Sequence, residues 1–180
     1  MKKKMRTVLA TILAFGMIAG LTACDGGGAG GGKVKGETYE TSLMTFLVPD
    51  GWTAFPKADF FEQYPDEPGD PHGLRMHKGA KDEFDQFSTP GIQIDYFETE
   101  TEMYDVKQLY EDAEDIEPFT TGDYTWEGFT ATTADTDLIV IHTKEPHKIN
   151  VNIFPSLGDK EKITLKDADV QAILSNIVVK

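Results

Sequence analysis

Apolar and polar residues alternate along several segments of the chain, and this pattern predicts β-strands. In residues 91–97, Ile92, Ile94 and Tyr96 alternate with polar neighbours, as expected of a strand with one buried face. Other segments are rich in β-branched and aromatic residues, which favour strands. The pattern predicts strands at 42–48, 74–77, 91–97, 124–133, 137–143 and 148–154. Because the last three follow one another through short connections, we expect an antiparallel meander there.

Apolar residues spaced three and four positions apart predict two helices. The first begins at a capping residue, Asp105, and ends before Pro118. The second spans about 165–176, and a short strand at 177–179 follows it. The two apolar stripes consist of Val106, Leu109, Tyr110 and Ala113 in the first helix, and of Val170, Ile173, Leu174 and Ile177 in the second.

Residues 1–23 have the pattern of a bacterial export signal. Four basic residues precede an uncharged, largely apolar run from Thr7 to Gly20, which is too short to span a bilayer. The sequence Leu21-Thr22-Ala23-Cys24 follows, and it resembles the lipobox of bacterial lipoproteins. The resemblance implies that Cys24 becomes the lipid-bearing N-terminus. We therefore expect a mature protein anchored to the cell membrane on its extracytoplasmic face.

The rest of the chain divides into a tether and one domain. Residues 24–36 hold the lipidated cysteine and a glycine-rich stretch, which is typical of a flexible linker. Residues 37–180 contain no repeat and no second linker. Their length is that of a single globular domain with one core.

Charge and cysteine content exclude several classes of function. The signal holds four of the 17 basic residues and none of the 31 acidic ones, so the mature chain has 13 basic residues and a net charge of −18. This argues against a nucleic-acid partner, since such proteins need basic patches. Cys24 is the single cysteine, which leaves no thiol for a disulfide or a catalytic site. There is also no nucleophile-elbow or phosphate-loop motif, so we expect neither an enzyme nor a bound cofactor.

The order of predicted elements favours an α+β fold, an antiparallel sheet covered by helices. A strand running into Val48-Pro49-Asp50-Gly51-Trp52, a central meander, and a final helix ending in Ile173-Leu174-Ser175-Asn176-Ile177 are similar to the PsbP-like family. That resemblance implies an α/β/α sandwich. It also implies a protein that acts by docking to a partner and not by catalysis.

Two histidines form the first candidate site. A four-residue loop, 143–146, would place His142 and His147 opposite each other across a hairpin, with Val140 facing Ile149. Two imidazoles can ligate a transition metal, and Glu145 could add a carboxylate. The alternative is a pair of half-buried structural histidines, because zinc sites usually have at least three protein ligands.

Two further groups could bind a ligand or a partner. Residues 59–72 combine several carboxylates with Phe60, Phe61 and Tyr64, but their spacing does not match a calcium-binding loop. We therefore expect a short helical turn that closes the core, followed by a solvated loop. Aromatic residues near turns could instead line a partner-binding groove: Trp52, Phe55 and Tyr64, and also Tyr124 and Trp126. Their alternative role is simply to form the core.

These observations leave three hypotheses of function. The first is a membrane-anchored, non-catalytic docking module for an envelope protein. The second is a binder of a metal ion or small solute, and the third is an enzyme without a recognisable motif. The first predicts an exposed patch without a deep cavity, whereas the other two predict a pocket with convergent polar groups.

Overall fold

The computed structural model of the protein describes residues 34–99, 106–134, 136–156 and 162–180. All of these residues belong to one compact unit. The first five strands are β1 (Gly36–Glu40), β2 (Met44–Pro49), β3 (Trp52–Lys57), β4 (Asp70–Lys78) and β5 (Gly91–Tyr96). The remaining elements are β6 (Glu114–Thr121), β7 (Tyr124–Thr133), β8 (Thr136–Thr143), β9 (Ile149–Phe154), the helix α1 (Ala168–Ser175), β10 (Val178–Val179), and 3₁₀ turns at Glu83–Phe87 and Val106–Leu109. In this described part, no helix is long and apolar enough to cross a membrane.

The strands form two antiparallel sheets. The larger has seven strands in the order β3-β4-β5-β9-β8-β7-β6, and the smaller has three in the order β1-β2-β10. The chain from β5 to β6 therefore passes over three strands to reach the opposite edge of the large sheet. The predicted meander is present as β7, β8 and β9, which pair consecutively.

The main core lies on one face of the large sheet, which we call the inner face. Side chains of β2 and α1 pack there against the alternate residues of five central strands. The largest buried residues of this core are Trp126, Phe46, Met44, Leu74, Met76, Ile92, Ile94, Ile141, Ile153 and Ile173. Burial of apolar surface at this scale supplies most of the stabilisation of such a fold.

The opposite, outer face of the sheet is covered only in part. Near β7 and β8, Val106, Tyr110 and Ala113 pack on a small second cluster that contains Phe129 and Val140. Polar residues follow on the same face, because residues paired across neighbouring strands share a face. One such row runs across four strands, and each of its residues pairs with the next: Glu127, His142, Asn150 and Asp95.

The expected α+β fold, and with it the PsbP-like α/β/α sandwich, is wrong. The described residues form a mostly β protein whose single α-helix, α1, has eight residues. A sandwich of that kind needs helices on both faces of its sheet. Here the inner face is covered by α1 together with a second sheet, and none of the described residues forms an α-helix over the outer face.

The helix expected between Asp105 and Pro118 is also wrong. Only Val106–Leu109 forms a 3₁₀ turn, and Glu114–Thr121 is the edge strand β6, paired with β7. Three of the four apolar residues of the predicted stripe, Val106, Tyr110 and Ala113, do pack on the outer face, whereas Leu109 is 74% exposed. Burial explains their spacing, and strand pairing overrides the weak local preference for helix.

The signal segment 1–23, Cys24 and most of the predicted tether lie outside the described residues. Within the described part, Gly36 already belongs to β1, where it pairs with Pro49. The first strand therefore begins one residue before Glu37.

Candidate functional site

Four phenylalanines project from the outer side of the β3–β4 edge. Phe60 and Phe61 are 87% and 82% exposed, and Phe84 and Phe87 are each 83% exposed. The first pair lies in the loop between β3 and β4, and the second lies on the 3₁₀ turn between β4 and β5. We call these four residues the phenylalanine surface. The expectation that Phe60 and Phe61 close the core is therefore wrong.

The loop of Phe60 and Phe61 is held by hydrogen bonds of its own polar residues. The backbone N–H of Tyr64 donates to Asp59 at 2.8 Å, and the Tyr64 ring packs edge-on against His72 with ring centroids 5.5 Å apart. The Glu67 carboxylate accepts from the N–H of Ser42 at 3.1 Å. These contacts fix both ends of the loop, so the two phenylalanines are exposed by an ordered backbone.

The segment of Phe84 and Phe87 is fixed in a similar way. Asp82 caps the 3₁₀ turn and accepts from the N–H groups of Phe84 and Asp85 at 2.9 and 3.2 Å. The Asp85 side chain accepts from the N–H of Lys81 at 2.8 Å, and its carbonyl accepts from the Thr89 hydroxyl at 2.7 Å. Capping of this kind stabilises a turn that would otherwise leave its first N–H groups unsatisfied.

Two cavities separate the phenylalanine pairs. One, of about 340 Å³, is bordered by Phe60 and Phe61, and the other, of about 470 Å³, by Phe84 and Phe87. The two cavities share three lining residues, Lys57, Ala58 and Arg75. The two loops therefore converge on a shared floor that carries two cations.

The charge of Lys57 is neutralised within the protein. Its ammonium lies 2.8 Å from Asp95 and 3.3 Å from Asp70, and Gln93 donates to Asp95 at 2.8 Å. Partial burial works to lower the pKa of Lys57, but the hydrogen bonds and charges of Asp95 and Asp70 outweigh it and raise that pKa. Lys57 therefore remains charged and paired.

Arg75 differs from Lys57 because it has no carboxylate partner among the described residues. Its guanidinium makes one weak contact, a donation to the carbonyl of Pro56 at 3.4 Å. The side chain stands on the outer face between Phe55 and Gln93, its partners on β3 and β5. A half-buried cation in a strongly acidic protein thus lines both cavities, and most of its donors have no acceptor among the described residues.

Of the five aromatic residues predicted to line a partner-binding groove, three are buried, and Trp52 and Phe55 are two of them. Trp52 and Phe55 are each 7% exposed. Trp52 donates to Asp169 of α1 at 3.2 Å, and Phe55 packs edge-on against His77 with ring centroids 6.0 Å apart. The alternative role as core residues is correct for both. Trp126 is also fully buried, Tyr124 packs against that core, and Tyr64 is half-buried at the border of the smaller cavity.

The carboxylates of residues 59–72 do not converge on one point. Asp59 accepts from Tyr64, Glu67 accepts from Ser42, and Asp70 pairs with Lys57 and His72. Burial works to raise the pKa of Asp70, but hydrogen bonds from His72 and the charge of Lys57 outweigh it and lower that pKa. The carboxylates hold the loop in place, and the segment is a solvated loop as far as Gly69, whereas Asp70 and Pro71 already belong to β4 and Pro71 is buried.

The two candidate histidines are adjacent, although the predicted pairing is wrong. His142 faces Asn150 and not His147, and Val140 faces Asn152 and not Ile149. The observed register is therefore shifted by three residues from the predicted one. His147 lies instead in a longer loop that returns it to His142, with ring centroids 5.3 Å apart. Glu145 is exposed in that loop, and the carboxylate that joins the two imidazoles is Glu127 of β7, which sequence reasoning missed.

No protein-family model matches the chain, and no curated protein matches it with significant similarity.

Proposed function

We propose that this protein is a membrane-anchored, extracytoplasmic docking module that binds an envelope protein through the phenylalanine surface. One observation carries the proposal: ordered loops hold four phenylalanines at 82–87% exposure around a shared floor. Burying one such side chain stabilises a complex by about 1.5–3 kcal/mol. Four exposed rings on neighbouring loops are therefore typical of an interaction site.

The charges around the surface favour a protein partner over a lipid surface. The two loops carry seven carboxylates: Asp59, Glu62, Asp66, Glu67, Asp82, Glu83 and Asp85. An anionic bilayer would be repelled by them, whereas a protein segment with an apolar centre and basic flanks would be attracted. An apolar centre inside a charged rim is also the usual anatomy of a protein–protein interface.

Arg75 gives this surface a specific contact at its centre. The guanidinium presents several donors in one plane, so it can bind a backbone carbonyl or a carboxylate of the docked segment. Arginine and aromatic residues are enriched among the residues that contribute most to binding. The surface therefore offers apolar burial at its edges and hydrogen bonding on its floor.

The predicted lipid anchor supports this role by placing the domain at the membrane. Cys24 would carry the lipid, and the glycine-rich linker would separate it from β1 by about a dozen residues. Two acyl chains on one residue are enough for stable anchoring. A tethered domain meets envelope proteins at high effective concentration, so a modest interface is sufficient. The proposed role requires neither catalysis nor a cofactor.

Site-specific photocrosslinking in cells of the producing bacterium tests the proposal. A photoreactive phenylalanine analogue is placed at Phe61 or Phe84 of the full chain, with Leu109 as the control position. Leu109 is 74% exposed and lies on the other 3₁₀ turn, so it reports non-specific contacts of an exposed apolar residue.

We expect both surface positions to form an adduct with one and the same envelope protein, and we expect Arg75→Ala to reduce that adduct. Adducts of equal yield from Leu109, or crosslinks to lipid alone, would overturn the proposal. A second copy of this chain as the adduct would do so as well.

A further inference from the structure

A group of three metal-ligating side chains lies at the other end of the outer face. Glu127 on β7 and His142 on β8 are directly paired, and His147 comes from the loop before β9. One ligand atom of each residue lies within 4.8 Å of the corresponding atoms of the other two. All three side chains are partly buried. From this geometry we infer that the protein binds a divalent transition-metal ion at Glu127, His142 and His147.

The loop that brings His147 back is organised around Thr143. Thr143 is 2% exposed, and its hydroxyl donates to the carbonyl of Pro146 at 2.6 Å. The same oxygen accepts from the N–H groups of Lys148 and Ile149 at 3.1 and 3.2 Å. These bonds hold the loop in a conformation that places the two imidazoles side by side, and such preorganisation lowers the cost of binding.

The hydrogen bond of His142 selects the nitrogen that binds the metal. Its Nδ1 lies 3.3 Å from the carbonyl of Thr143, and it donates to that oxygen in the tautomer with Nδ1–H. This leaves the Nε2 lone pair available. Metal-bound histidines are commonly held by a second-shell hydrogen bond of this kind.

The donor set determines the class of ion. Two imidazole nitrogens and one carboxylate suit zinc and its neighbours among the divalent transition metals. Calcium and magnesium prefer sites made of oxygen ligands, so they are poor candidates here. Three protein ligands also leave one position of a tetrahedral ion open to solvent or to a small ligand.

The surroundings of the three ligands are consistent with such an open position. The ligands line a cavity of about 430 Å³ whose walls also include Phe129 and Val140. Across the cavity, Lys107 and Asp115 form an ion pair with 2.6 Å between nitrogen and oxygen. Asp115 is thus already engaged with a cation, whereas Glu127 has only a longer contact, 3.8 Å from the ammonium of Lys144. The apolar wall and this ion pair leave room for water or a small anion beside the ion.

A buried polar atom next to the histidines gives a second, independent indication. Asn150 is paired with His142 on the same face, and its Oδ1 is buried without a hydrogen-bond partner among the described residues. Buried acceptors are nearly always satisfied in folded proteins. Asn150 does not itself line the cavity, but water coordinated to an ion at the neighbouring His142 would supply a donor for an acceptor of this kind.

Titration of the purified full chain with Zn²⁺ tests this inference, after treatment with chelator and its removal by dialysis. Isothermal calorimetry gives the stoichiometry and Kd for the wild type and for Glu127→Gln, His142→Ala and His147→Ala. Glu145→Gln is the matched control, since Glu145 lies in the same loop and is exposed. Co²⁺ in place of Zn²⁺ reports the coordination through its visible absorption.

We expect one ion per chain, a Kd at least 10-fold weaker in Glu127→Gln, and a loss of at least 100-fold in either histidine variant. Glu145→Gln should bind as the wild type does, and Co²⁺ should give the intense bands of a four-coordinate site. Absence of stoichiometric binding by the wild type would overturn the inference. So would an unchanged Kd in Glu127→Gln, which preserves the shape of the side chain and therefore the fold, or an equal loss in the Glu145 control.

Discussion

His77 and Gly91 lie directly opposite each other on β4 and β5, and the imidazole occupies the space that a side chain at position 91 would need. A Cβ atom at Gly91 would lie 2.5 Å from both Cε1 and Nδ1 of that ring. His77 is 7% exposed, and its Nδ1 lies 3.2 Å from the carbonyl of Thr89. This histidine is therefore a packed part of the fold, next to Phe55 and Gly91.

Gly91→Ala is expected to destabilise the protein because the added methyl group overlaps the His77 ring. Overpacking of this kind typically costs about 1–3 kcal/mol. Denaturant unfolding of the variant measures the change. In a His77→Ala background the methyl group has space, so the cost of Gly91→Ala should fall to below about 1 kcal/mol, and additive costs would contradict the proposed overlap.

Stability is expected to decrease on mild acidification because of His77. Burial lowers the pKa of His77, Arg75 lowers it further, and the Thr89 carbonyl opposes these effects only in part. In the unfolded chain, His77 takes up a proton near the ordinary histidine pKa of about 6.5. In the folded chain, His77 takes up its proton only at lower pH. Its contribution to the free energy of unfolding is therefore complete above the pKa of the unfolded state and is lost as the pH falls below that value.

Unfolding free energies measured between about pH 7.5 and pH 5 test this, with His77→Gln as the comparison. The pKa values of Asp70 and Asp112 are also lowered, so their contributions disappear only at still lower pH. We expect the variant to lose less stability than the wild type across this interval. Parallel pH profiles would show that His77 does not titrate on unfolding.

The phenylalanine surface is expected to contribute little to folding. Because Phe84 and Phe87 are 83% exposed, replacing either by alanine should change the free energy of unfolding by no more than about 0.5 kcal/mol. Replacing Ile173, which is fully buried on α1, by alanine should lower the free energy of unfolding by about 2–5 kcal/mol. Chemical denaturation measures both. A loss at Phe84 as large as that at Ile173 would mean that the ring belongs to the core.

A bound metal ion is expected to stabilise the folded chain. If Zn²⁺ binds only the folded state, a free concentration 100 times the Kd adds about 2.7 kcal/mol to the unfolding free energy. Thermal unfolding with and without Zn²⁺ measures this increase, and Glu127→Gln should show it only at higher Zn²⁺ concentrations. An equal response in the variant at every concentration would assign the stabilisation to another site.

Cys24→Ser is expected to release the protein from the membrane. Serine cannot form the thioether to the lipid, so the predicted anchor is lost. Partition between aqueous and detergent phases measures the effect, with Asp25→Asn as a neighbouring control that keeps the cysteine. We expect the wild type and the control in the detergent phase. Lipid anchoring at Cys24 would be contradicted if Cys24→Ser, which carries no lipid, entered the detergent phase as fully as the wild type and the control.

Local alternation of apolar and polar residues located much of the large sheet. The strand predicted at 124–133 matches β7 in full, and those at 91–97, 137–143 and 148–154 differ from β5, β8 and β9 by one residue at an end. β3 and β6 were missed. Each contains proline and few alternating apolar residues, and each lies at an edge, where pairing with a single neighbour determines the strand.

The third ligand of the proposed metal site comes from the other hairpin, whose register the sequence did not give. The predicted strands at 124–133 and 137–143 leave three residues between them, whereas the observed two-residue connection pairs Thr133 with Thr136 and places Glu127 opposite His142. The longer loop before β9 was also predicted in the wrong register. Its register depends on the buried hydroxyl of Thr143, which organises the turn through contacts that the sequence alone does not reveal.

The sequence by itself determined the acidic charge of the protein, most of its strands, and the proximity of His142 and His147, and it predicts a lipid anchor at Cys24. These features depend on local composition and on residues close together in the chain. The tertiary structure alone decided that β2 and α1 cover the inner face, that Glu127 joins the histidines, and that ordered loops leave four phenylalanines exposed. The reason is physical: burial and strand pairing arise between residues distant in the chain, and these interactions outweigh local preference.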